Sequence, residues 1–299
     1  MTNGQTWTPP LTCELTADGA RILRYCCYGP ADGLPVVSLT GTPGTHWERP
    51  DVIAAIEQAG LQVAVPDRPG YGGSTRQPGR TVASVAADVR MIADAHDWPR
   101  FAVTGFSGGG PHALACAALL AGRVTCCAAI ATPAPHGDGG VDGFADRTPG
   151  QAEDFRLALR GEHELRPYLR ARSSDALAKF EQDNPTPLPD PARTPSSASG
   201  LPATDPGRPV RVRAMFAGGL DGWVDDYIAL VHPWGFDLAD IRAPVSIWHC
   251  TADTRVPRAH TDWLLAHLPT ARGHEYSGGH DPSDVSNRQI LGWIAGTTT

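Results

Sequence analysis

Between Val103 and Leu114 the chain reads VTGFSGGGPHAL, one serine among four glycines. A serine hydroxyl is a weak nucleophile until a base accepts its proton, and a histidine acting as that base needs a carboxylate to fix its tautomer and stabilise its charged form. Further along, HCTADTRVP supplies Asp253 and YSGGHDPSD supplies His280. Ser107, Asp253 and His280 are therefore the candidate catalytic residues, and the chemistry they could perform is acyl transfer. Gly105-Phe106-Ser107-Gly108-Gly109 fits G-x-S-x-G, in which a tight strand-to-helix turn strains the central residue and exposes its hydroxyl. The serine also stands at a helix N-terminus, where free N–H groups favour developing negative charge. Acyl transfer needs donors for an oxyanion, each typically worth a few kcal/mol. The backbone N–H groups of Thr42, in LTGTPGTHW, and of Gly108 are assigned that role.

Each of these residues alone would be unremarked. A loop aspartate is ordinarily a turn former and a loop histidine ordinarily structural, so the order Ser, Asp, His and the placement at strand ends carry the argument. Asp138, after RVTCCAAIA, is an alternative position for the acid. His112, one turn into the helix after Ser107, is expected to pack or to shape the pocket floor. His136 and Asp138 are too few ligands in a Gly-rich loop to indicate a metal site. No metal and no cofactor is expected.

The elements that must position these residues follow from the hydrophobic pattern. LTCEL and RILRYCCYG flank Asp18-Gly19 and read as a hairpin. Strands are expected at 35–40, 61–67, 100–106 and 123–131, with helices at 51–60 and 81–98 and over GGPHALACAALL, 109–120. Strands alternating with helices imply a parallel, doubly wound α/β sheet covered on both faces. The alternation stops between about Pro133 and Asp240, where QAEDFRLALRGEHELRPYLRA and VRVRAMFAGGLDGWVDDYIALVHPW read as helical. The Pro/Ser-rich stretch at about 184–209 lies between them and is either a linker or an ordered lid segment. The strand pattern resumes with APVSIWHC (243–250), then a helix around AHTDWLLAHL, a short strand near RGHEYS and a last helix, DVSNRQILGWIAG. The expected organisation is a core of 1–133 and 240–299 carrying a helical cap subdomain at 134–239.

Composition narrows the functional class. The formal net charge of −7 argues against nucleic acid or an anionic membrane as a partner, leaving a small-molecule substrate. Apolar runs are too short or too interrupted to cross a bilayer. Of the seven cysteines, Cys26 with Cys27 and Cys126 with Cys127 are neighbours whose side chains point to opposite faces of a strand. Reduced, mostly buried thiols are expected. MTNGQTWTPP lacks the basic start and apolar region of a secretory signal, so the expected location is cytoplasmic.

On these residues the chain resembles the α/β-hydrolase superfamily, over roughly 20–133 and 240–297. VPDRPGYGGS resembles the D-x-x-G-x-G-x-S loop, TGTPG the H-G-x-P-G oxyanion loop, and ADTRVP and GGHDP the acid and histidine loops. The resemblance implies an eight-stranded sheet with a helical lid after the sixth strand, and a loop-holding role for Asp67, Arg68 and Ser74. Thr40 stands where the resembled loop carries histidine. Serine rather than aspartate at the nucleophile position argues against epoxide hydrolase and haloalkane dehalogenase chemistry, and TGTPG with GFSGG does not meet the proline iminopeptidase motifs. The expected activity is that of a serine hydrolase of the carboxylesterase or lactonase type. The alternatives are carbon–carbon bond cleavage or acyl transfer by the same triad, or a non-hydrolytic binding protein. The lid would roof the pocket, with Phe106, Trp223, Tyr227 and Trp234 as candidate lining residues, although aromatics in helices commonly pack in cores.

Overall fold

The strands alternate their side chains between two separate apolar cores, and this alternation sets the architecture. The structure, a computed structural model, describes residues 11–137, 140–142, 149–183, 208–277 and 279–298. β1 (Thr12–Ala17) and β2 (Arg21–Tyr28) form the expected hairpin, followed by β3 (Leu34–Leu39), β4 (Leu61–Pro66), β5 (Phe101–Phe106), β6 (Val124–Ile130), β7 (Val245–His249) and β8 (Ala271–Glu275). They make one eight-stranded sheet in the order β1-β2-β4-β3-β5-β6-β7-β8. β2 runs antiparallel to β1 and β4, and every pairing from β4 to β8 is parallel.

Within β4, Val63 and Val65 face one core and Ala64 the other; Cys26 and Cys27, and Cys126 and Cys127, divide in the same way. One face is covered by α2 (Val85–Ala95), α3 (Gly109–Leu119) and α8 (Arg258–His267), through Val89, Ile92, Leu114 and Leu264. The other is covered by α1 (Pro50–Gln58) and α9 (Asp284–Thr298), through Ile56, Ile290 and Ile294. Fully burying one such aliphatic side chain contributes roughly 1.5–3 kcal/mol, so the two layers hold the sheet from both faces.

Among the described residues four helices lie between β6 and β7: α4 (Pro149–Arg160), α5 (Glu162–Asp183), α6 (Arg208–Met215) and α7 (Asp221–Val231). Each of the two helical stretches expected there is two helices. Gly161, at φ 101°, separates α4 from α5, and Gly219, at φ 79°, precedes α7; left-handed backbone ends a helix. A third, smaller apolar core unites Phe155, Leu165, Leu169, Trp223 and Val224 with Tyr71 from the loop after β4. Asp138 and residues 184–207 of the Pro/Ser-rich stretch lie outside the described residues.

β3 sits between β4 and β5, so chain order reverses there. In open α/β sheets a crevice forms at such a point, at the carboxyl ends of the strands. Leu39 of β3 pairs with Gly105 of β5, which sets the loop holding Thr42 beside the turn holding Ser107.

Candidate active site

Ser107 follows β5 directly and has φ 52°, a conformation costly for a residue with a Cβ. Two hydrogen bonds hold it there: its N–H donates to the Ile130 carbonyl at 2.8 Å, and its own carbonyl accepts from Gly110 N–H at 2.9 Å. The turn requires glycine on either side. A Cβ on Gly109 would run into the Leu39 and Thr40 carbonyls, and one on Gly105 into the Gly109 carbonyl.

The three candidate catalytic residues meet. His280 Nε2 lies 3.0 Å from Ser107 Oγ, and His280 Nδ1 lies 2.9 Å from Asp253 Oδ2. A carboxylate only accepts, so Nδ1 carries the ring proton and Nε2 presents its lone pair to the serine hydroxyl. The other carboxylate oxygen, Asp253 Oδ1, accepts from the N–H groups of Arg255 at 2.8 Å and Val256 at 3.1 Å. Burial pushes the Asp253 carboxyl upward. The hydrogen bond from His280, with those from the two backbone donors, outweighs that and holds it below the usual carboxylate range. The acid partner of His280 in the structure is Asp253.

Thr42 and Gly108 face the same space. A Cβ on Gly108 would lie 3.4 Å from Thr42 N and would overlap the Thr42 hydroxyl, so the two backbones approach closely. Among the described residues neither N–H has an acceptor within the protein. With Ser107 and His280 they line an open cleft of about 500 Å³, walled further by Gln151, Phe155, Tyr227, Leu230, Arg255 and Val256.

The four aromatic residues expected in the pocket divide. Tyr227 lines the cleft, its hydroxyl donating to Asp154 at 2.9 Å. Phe106 packs its ring against His280, 5.0 Å between centroids, beside the cleft lining. Trp223 is instead buried in the small core of the insertion against Phe216 and Tyr227, and Trp234 stacks on Phe236 in the core beneath the sheet. Trp223 lies within α7 and packs as aromatics of buried helices commonly do, whereas Trp234 lies beyond the helix and packs from the loop that follows it.

Asp67, Arg68 and Ser74 hold loops. Asp67 accepts from the N–H and the ring of His46, Ser74 Oγ accepts from Arg24 N–H, and Arg68 donates to the Thr40 and Gly41 carbonyls. Arg68 also meets a residue that sequence reasoning missed, Asp226 of α7, buried among Arg68, Arg80, Tyr71 and Thr42. The available signal was two adjacent acids inside the otherwise apolar VDDYIALV.

His112 packs beside this group, its Nδ1 2.8 Å from the Gly108 carbonyl. Burial first, then Arg68, pushes its imidazole down to about 3. An imidazole lowered on folding binds its proton more readily in the unfolded chain, so its stabilising effect is complete above the unfolded value of about 6.5 and declines as pH falls below it. Between pH 7.5 and pH 5 the wild-type chain is expected to lose about 2 kcal/mol more stability than His112→Asn, measured by urea unfolding at both pH values.

Residues 35–285 match the family model described as alpha/beta hydrolase fold. No curated protein matches the chain by sequence. Among solved structures, an esterase from Exiguobacterium antarcticum superimposes with TM-score 0.66 at 17% identity, covering 97% of this chain and 100% of that one. A thermophilic esterase from Thermogutta terrifontis gives 0.65 at 18% identity, over 97% and 100%. An enol-lactonase from Burkholderia xenovorans gives 0.61 at 19% identity, over 95% and 97%.

Proposed function

The chain belongs to the alpha/beta hydrolase fold family, and within that family we propose that it is a serine hydrolase acting on a small ester or related acyl compound, in the manner of a carboxylesterase or lactonase. The observation that carries this reading is the unbroken line Asp253–His280–Ser107, with both hydrogen bonds formed. The esterase and enol-lactonase neighbours agree with it.

In the proposed reaction His280 Nε2 takes the proton from Ser107 Oγ as the oxygen attacks the acyl carbon. The carbonyl electrons move onto oxygen, where the N–H groups of Thr42 and Gly108 receive the charge. His280 then gives its proton to the leaving oxygen, and an acyl-serine remains. A water, deprotonated by His280 in turn, attacks that ester and releases the acid with Ser107 restored. Asp253 keeps the ring in the tautomer that both half-reactions need and stabilises its charged form. The insertion serves as the cap, supplying Gln151, Phe155, Tyr227 and Leu230 to the roof. The seven free cysteines fit a reducing, cytoplasmic setting, and no described helix is long and apolar enough to cross a membrane.

The test is labelling with a fluorophosphonate and turnover of p-nitrophenyl esters of graded acyl length. The reading expects both, with turnover falling for acyl chains too long for the cleft. Labelling without ester turnover would replace it by carbon–carbon cleavage or acyl transfer, and absence of labelling would overturn every reading that uses Ser107 as nucleophile.

A further inference from the structure

Behind the Thr42 loop lies a group of buried charges that the reaction above does not use. Asp226 Oδ2 accepts from Thr42 Oγ1 at 2.6 Å, Arg68 Nη2 at 2.5 Å and Tyr71 Oη at 2.9 Å, and Oδ1 accepts from Arg80 Nη2 at 2.6 Å and Arg68 Nε at 3.3 Å. Asp226, Arg68, Arg80 and Tyr71 are all buried. Every donor comes from a loop of the sheet's carboxyl edge, whereas Asp226 comes from α7 in the insertion.

A carboxylate so placed does more than join two parts of the chain. Thr42 lies between Gly41, whose carbonyl Arg68 holds at 2.9 Å, and the turn to Pro43. Its hydroxyl is tied to Asp226 and to Arg68, the latter at 3.2 Å. With the side chain fixed, the adjoining N–H is fixed as well. A loop whose first position is Thr40 rather than histidine is thus pinned from behind by an ion pair.

The charge balance is consistent with an anion in front. An arginine side chain in a protein carries a fixed positive charge. Burial pushes the Asp226 carboxyl up, but Arg68 and Arg80 outweigh it and keep the group ionised far into acid. Burial raises the Tyr71 phenol, and the low imidazole of His112 leaves that ring neutral at neutral pH. Two positive groups and one negative leave a net positive charge beside Thr42. A preorganised positive site is what a developing oxyanion requires, and it needs no rearrangement during the reaction.

The geometry points to Asp226 as a positioning residue for the oxyanion hole, acting through the hydroxyl of Thr42. This rests on the serine hydrolase reading, and it predicts that the Thr42 side chain affects kcat although only the Thr42 N–H meets substrate. Thr42→Val keeps the N–H and the branched shape while removing the bond to Asp226; Thr42→Ser keeps that bond.

The experiment compares wild type, Thr42→Val and Thr42→Ser in ester turnover and in the rate of fluorophosphonate labelling, with unfolding midpoints measured alongside. The expected result is a fall in kcat of about 10- to 100-fold in Thr42→Val, a matching fall in labelling rate, KM within threefold of wild type, and recovery to within threefold of wild-type kcat in Thr42→Ser. A Thr42→Val kcat within threefold of wild type, a change confined to KM, or a serine variant no better than valine overturns the inference. A wild-type protein that turns over ester and takes label, paired with an insensitive valine variant, defeats this inference alone; a wild-type protein that does neither defeats the hydrolase reading and this inference with it.

Discussion

Replacing Ser107 by alanine is expected to lower kcat for an ester substrate by about 10⁵- to 10⁶-fold, with KM little changed and fluorophosphonate labelling abolished. The size of the effect follows from what remains. Without Oγ, His280 has no proton to accept and no covalent intermediate can form, but the Thr42 and Gly108 N–H groups still face the cleft. Those donors and the binding walls leave a residual rate of about 10³–10⁴ over water in comparable sites. Alanine can occupy the φ of 52° held by the Ile130 and Gly110 bonds, so the variant is expected to unfold within a few degrees of wild type. Stopped-flow or endpoint ester assays with a thermal melt decide the matter, and a variant retaining a tenth of the wild-type rate would remove Ser107 from the mechanism.

Asp253→Asn is expected to cost about 10⁴-fold in kcat, and the structure supplies the reason in atomic terms. Oδ1 is fixed as an acceptor by the N–H groups of Arg255 and Val256. An asparagine must therefore leave its carbonyl oxygen there and turn its NH2 toward His280. That amino group donates, so Nδ1 becomes the acceptor and the ring proton moves to Nε2. The nitrogen facing Ser107 then has no lone pair to receive the hydroxyl proton. Fold and KM are expected to persist, and the position of the ring proton is directly visible in the imidazole nitrogen chemical shifts. An Asp253→Asn variant with Nδ1 still protonated and kcat within tenfold of wild type would assign the orienting role elsewhere.

The parts of the site that could be read in advance are those governed by local rules. Strand period placed β3, β5, β7 and β8, and a residue that must stand at a strand's carboxyl end can be sought just past it; Thr42, Ser107, Asp253 and His280 are all of this kind. The neighbouring thiols were legible for the same reason, since period two sends Cys126 and Cys127 to different cores. What escaped depends on contacts with no local period. Thr42 and Asp226 touch across 184 positions of chain. Trp223 and Trp234 carry the composition of a pocket wall, yet α7 packs Trp223 into the small core of the insertion, and Trp234, beyond the end of that helix, lies under the sheet. The division of each helical stretch of the insertion into two was written in Gly161 and Gly219, whose left-handed backbone outweighs the helical pattern around them.

The acids of α7 bear on how this protein could be taken apart. Arg68, Arg76 and Arg80 all leave one loop after β4, and Asp221, Asp225 and Asp226 all leave α7 to meet them. By chain position α7 is part of the insertion, and by its attachments it belongs to both sides, sharing the small core with α4 and α5 while its acids meet the arginines of the loop after β4. Exchanging the insertion would therefore have to keep the acids of α7 and rebuild the core that this helix shares with α4 and α5. A graft that carries α7 away would strip Arg68 and Arg80 of Asp226, leave Arg76 only Glu162 as a carboxylate partner, and loosen the loop that holds Thr42.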